Sequence, residues 1–152
     1  MVHPYYLKEY NQRWFLFSRS NEYQDITIFP LDRIKGLTKT SGVFVENDKV
    51  DFEHYFDDII GVSSSKRDVP TLIVLRVCAE QFPYMLTKPI HHTQEICKLL
   101  QDGNAIVSIK VKLNFELIQQ LLSFGERVIV LEPETLREEI KHRIENNLRN
   151  YQ

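Results

Sequence analysis

The chain has 152 residues, 43% of them hydrophobic and 26% charged, the make-up of a folded globular protein rather than a disordered or fibrous one. Its net charge of -2 excludes a whole-chain field drawing it to nucleic acid. Residues 1 to 40 nevertheless set Lys8, Arg13, Arg19, Arg33, Lys35 and Lys39 against only Glu9, Glu22, Asp25 and Asp32, so an anion is drawn to the front end. Cys78 and Cys97 are too few for a disulfide scaffold and read as buried, reduced thiols of a cytoplasmic protein. No apolar run approaches the roughly 18 residues of a membrane span, and Met-Val-His-Pro-Tyr-Tyr is no signal peptide.

In chain order, Tyr5 to Tyr10 and Arg13 to Ser18 read as aromatic strands joined at Asn11-Gln12, although Gln12 is a poor choice for positive φ. Asp25 to Leu31 reads as a third strand with Pro30 at its edge or end. Ile34 to Thr40 and Val43 to Val45 add two short strands, which together predict a small barrel or strongly curved sheet. Phe52, Tyr55, Phe56, Ile59 and Ile60 recur at helical spacing, predicting a helix over 51–60 capped by Asp51 and ended by Gly61. The polar stretch 63–70, closed by Pro70, reads as a linker.

The second half begins with the apolar strand Thr71 to Cys78, then a short helix over Ala79 to Leu86 that contains Pro83. Thr93 to Gln101 and Ala105 to Leu113 make a hairpin about Asp102-Gly103. Asn114 caps a helix that Gly125 ends, with Leu117, Ile118, Leu121 and Leu122 facing inward; Arg127 to Glu132 is a strand, and Pro133 opens a long helix striped by Leu136, Ile140, Ile144 and Leu148. Glu139-Arg143 and Glu145-Arg149 pair on its outer face, each worth about 0.3–0.5 kcal/mol. The order strand, helix, strand, strand, helix, strand is a ferredoxin-like βαββαβ layout with an extra C-terminal helix. The chain is therefore α+β, with domains at 1–62 and 71–152.

No constellation for catalysis stands out. His91 and His92, read as strand neighbours, point to opposite faces and with Glu95 leave a metal site short of ligands. Ser63 to Ser65 lack a strained elbow, and the five glycines never fall at phosphate-loop spacing. The reading is no enzyme, no metal and no cofactor. What remains is the front end, where Tyr5, Tyr6, Tyr10, Trp14, Phe15, Phe17, Tyr23 and Phe29 interleave with Lys8, Arg13, Arg19 and Arg33. Rings beside cations on a curved sheet are the ingredients of a single-stranded nucleic acid platform. Alternation sends about half of those rings into a core, and the pattern alone favours packing over stacking.

Arg13-Trp14-Phe15-Leu16 resembles the signature of WYL domains, and Phe29-Pro30-Leu31-Asp32-Arg33-Ile34 resembles that family's closing segment. Phe52 to Gly61 and Pro89 to Gln94 resemble its following stretches. Leu122 to Gly125, Val130 to Pro133 and Leu136-Arg137 are similar to its C-terminal extension. The resemblance implies an Sm-like, SH3-type barrel followed by a ferredoxin-like extension. It further implies the ligand-sensing module of a bacterial transcriptional regulator, binding single-stranded DNA or a nucleotide-like effector and controlling a DNA-binding partner domain. The ligand-binding residues on this reading are Lys8, Arg13, Trp14, Phe15, Arg19 and Arg33. The likeness begins at Pro4, so the helix-turn-helix and the barrel's first elements are expected outside this chain, and a homodimer is expected. Phe15 stands where the family often has Tyr, and Thr27 and Pro30 near where it often has Arg, making a less polar pocket. The alternative is an oligomerisation module that binds no ligand.

Overall fold

The structure is a computed structural model that describes residues 1–21, 25–64 and 68–152. Tyr23 and part of the stretch 63–70 therefore lie outside the described residues. The chain divides into one unit of Met1–Asp57 with Gly61–Ser63 and a second of Asp58–Ile60 with Ser64–Gln152.

The first unit is built on a three-stranded antiparallel meander of β1 (Val2–Tyr10), β2 (Arg13–Ser20) and β3 (Ile26–Pro30) in that order. Asn11 and Gln12 both take positive φ, 50° and 61°, the pairing that a tight hairpin turn needs to match strand twist. β3 is an edge strand and ends at Pro30, where the missing N–H costs no ladder bond. A 3-10 turn, Leu31–Arg33, follows.

Three expected elements of this unit, two strands and a helix, are absent. Residues 34–50 form no strand; Val45 donates its N–H to His3 Nδ1 at 3.1 Å rather than to a ladder. The expected helix over 51–60 is a run of turns. Asp51 places its carboxylate on Glu53 N at 2.9 Å and on His54 Nδ1 at 2.7 Å, and Asp57 N reaches back only three residues to His54 O. Such local side-chain bonds compete with the helical ladder. The apolar periodicity still serves packing, because Phe52, Tyr55 and Phe56 all close on the fully buried Phe17 at ring-centroid distances of 5.2–5.9 Å, edge to face.

The second unit holds β4 (Thr71–Val77), α1 (Phe82–Thr87), β5 (Glu95–Leu99), β6 (Ala105–Val111), α2 (Phe115–Ser123), β7 (Val128–Glu132) and α3 (Glu134–Arg149). Its four strands form one antiparallel sheet in the order β5-β6-β4-β7. Ile73, Leu75 and Val77 of β4 and Val107, Ile109 and Val111 of β6 bury one face under Met85, Leu117, Leu121 and Leu136. α1 starts at Phe82, later than expected, because Pro83 is tolerated only in a first turn.

The interleaved residues 58–60 belong to this unit by specific bonds. Asp58 O accepts from Lys112 N at 2.7 Å, and its carboxylate meets Lys112 Nζ at 3.0 Å. Asn114 caps α2 by accepting from Leu117 N at 2.9 Å and donates to Ile60 O at 2.7 Å. On α3, Glu139 and Arg143 pair at 2.6 Å as expected, whereas Arg149 donates to Asn146 rather than to Glu145. Cys78 is half-buried and Cys97 exposed, so only one of the two thiols is even partly sheltered. No described helix is long and apolar enough to cross a membrane.

Candidate functional site

Strand alternation decides where the six sequence-selected residues go. Arg13, Phe15 and Arg19 project to the side of β2 that carries Phe17. Lys8 lies opposite Phe15 on β1 and shares that side. Its Nζ sits 3.6 Å above the centroid of the Phe56 ring, a cation–π contact. No carboxylate among the described residues pairs with it, and partial burial holds its ammonium below the usual lysine value. Arg19 is half-buried, opposite His3 and Ile26.

Trp14 projects from the other side of the meander and is 49% exposed. No described ring packs on its indole. Leu16 shares its side, with Leu7 and Phe29 directly across from Leu16 on the neighbouring strands. The selected residues thus fall on two faces rather than on one platform. Leu7, Leu16 and Phe29 were missed as neighbours of Trp14, although the period of two along β2 was the signal that places them there.

Asp32 does not pair with the adjacent Arg33. It takes Arg13 instead, Nε to Oδ2 3.2 Å, an exposed pair. This ties the Leu31–Arg33 turn to the start of β2, beside Trp14. Arg33 is exposed, and no described residue pairs with its guanidinium. The same end of the sheet therefore offers an open indole and an uncommitted cation.

His91 and His92 lie in a turn rather than a strand, and their rings sit side by side at 4.1 Å. Among the described residues the cluster with three close ligand atoms is Asp51, Glu53 and His54, all exposed, which the sequence reading passed over. Its D-x-E-H spacing was visible. The hydrogen bond that His54 Nδ1 donates to the Asp51 carboxylate, and then the charges of Asp51 and Asp57, hold the His54 imidazolium above its ordinary pKa.

Two family models match separate segments of the chain. Residues 1–39 match the WYL domain and residues 70–148 match the WCX domain. The chain belongs to the WYL-domain regulator family, as a regulatory module that joins a WYL to a WCX domain. Among solved structures it is similar to proteasome accessory factor B/C (PafBC) of Arthrobacter aurescens, at 19% identity and a TM-score of 0.41. That match covers 99% of this chain and 22% of the other, so the chain spans about a fifth of that protein's length. No curated protein sequence matches the chain.

Proposed function

We propose that the first unit senses a single-stranded DNA or nucleotide-like effector and passes that state to a DNA-binding partner domain. The observation that carries this reading is that the half-exposed indole of Trp14 and the exposed Arg33 stand at the same end of the sheet, where Asp32 ties the turn to Arg13. A base stacked on an indole gains about 1–3 kcal/mol, and a free guanidinium at the same end of the sheet is available to the phosphate. Lys35 and Lys39, both exposed, extend the positive end. Lys8, Phe15 and Arg19 play a supporting part on the opposite face, where Phe15 and Lys8 pack the sheet that carries Trp14.

The fold readings that accompany this proposal are an Sm-like, SH3-type first unit and a ferredoxin-like second unit. The βαββαβ succession with strand order β5-β6-β4-β7 supports the latter. The protein works in the cytoplasm, as a homodimer and without catalysis of its own.

The test is anisotropy of a short labelled single-stranded oligonucleotide titrated with the full chain at about 50 mM and about 200 mM salt. Binding that weakens with salt is expected; no binding at low salt overturns the DNA form of the reading.

A second reading is an assembly module that binds no ligand. The exposed edge strand β5 favours it.

A further inference from the structure

β5 is the outer strand of the second sheet, bonded to β6 on one side and to no described strand on the other. All five of its residues are exposed, including Ile96 at 51% and Leu99 at 64%. A bare edge of this kind presents unpaired N–H and C=O groups to any strand that can match it.

The register with β6 sorts its side chains. Ile96 lies opposite Val107 and Leu99 opposite Ala105, on the core side. Glu95 lies opposite Ser108 and Lys98 opposite Ile106, on the other side, with Cys97 as the extra residue of a bulge. Neither Glu95 nor Lys98 has an ion-pair partner among the described residues. Two opposite charges thus stand on one face, symmetric about the Ile96-Cys97 step.

We propose that β5 pairs antiparallel with β5 of a second copy of this chain, with the two-fold axis at Ile96-Cys97. That register sets Glu95 of each copy opposite Lys98 of the partner subunit and closes two ion pairs. Centring the axis on Lys98 or on Glu95 instead opposes like charges. The edge is therefore self-complementary in one register, which an arbitrary strand would not be. The backbone ladder with Ile96 and Leu99 supplies affinity. The rim charges, individually weak, select partner and register. This inference names the interface of the homodimer proposed above and is independent of the ligand.

Light-scattering mass in low salt tests it on the full chain, with circular dichroism as the check that each variant folds. Wild type is expected at twice the 18.0 kDa chain mass. Glu95→Lys and Lys98→Glu, each of which turns two weak attractions into two repulsions, are expected to weaken the dimer by about tenfold or more and shift the mass toward the monomer on dilution, and the double charge swap to recover it. A dimer indifferent to the single reversals, or one that the double swap fails to restore, overturns the β5 interface while leaving the homodimer. A wild-type monomer overturns both.

Discussion

Arg13 reaches past its own strand to Asp32, Nε to Oδ2 3.2 Å, and so claims the carboxylate that sits next to Arg33 in sequence. One cation is neutralised and the other left open. Both partners are about half exposed, so the pair contributes at most about 1 kcal/mol. Asp32→Asn should leave the melting curve nearly unchanged. If the effector is anionic, Arg33→Ala should weaken oligonucleotide binding more than Arg13→Ala does, read by anisotropy at low salt.

Trp14 and Phe17 make a contrasting pair on one strand. Phe17 is fully buried among Phe52, Tyr55 and Phe56, so Phe17→Ala should cost about 3–5 kcal/mol in urea unfolding. Trp14→Ala should cost about 1 kcal/mol and keep the fold while abolishing stacking. The chain has one tryptophan, so its intrinsic fluorescence should quench as oligonucleotide is added.

The side chain of Asn114 answers two backbone groups at once, Leu117 N and Ile60 O. Asn114→Ala strips the cap from α2 and leaves a buried carbonyl unanswered, a loss of about 2 kcal/mol. Asn114→Asp keeps the cap but not the donor, and should fall between the two in urea unfolding.

Gln12 holds φ at 61° with a side chain that gains nothing from that region. Gln12→Gly should raise stability by about 1 kcal/mol, seen as a higher Tm, because the turn geometry is already the one glycine prefers.

Asp51 and His54 give a pH-dependent contact. The imidazole pKa is raised in the fold, so its contribution is complete below the ordinary histidine value and is lost as pH rises through the folded one. Asp51 is lowered, first by the hydrogen bond to His54, so its share is present above the ordinary carboxylate value and fades as pH falls through the folded one. The His54 resonance should titrate above a free imidazole in NMR, and Asp51→Asn should bring it back.

Much of the architecture was legible because it rests on local periodicity. The period of two along Ala105–Val111, the Asp102-Gly103 turn and the Asn114 cap each act within a few residues, and each stands where the sequence puts it. The failures share a cause. Phe52, Tyr55 and Phe56 carry the spacing of a helix face, but Phe17, 35 residues upstream of Phe52, receives them equally well from turns. Asp32 takes Arg13 rather than its sequence neighbour Arg33, and Arg13 comes within reach only after the meander forms. The splitting of Trp14 from Lys8 and Phe15 onto opposite faces was implicit in alternation but needed the β1 register to be fixed.

Residues 58–60 alter how the molecule can be dissected. They are counted with the second unit although Gly61–Ser63, which come after them, are counted with the first. A protease or a gene boundary placed within 63–70 would strand the partners of Lys112 and Asn114 on the wrong fragment. The carboxy-terminal piece released by such a cut should melt well below the intact chain. A piece beginning a few residues before Asp58 should recover that loss, carrying three residues of its neighbour's sequence neighbourhood as its own.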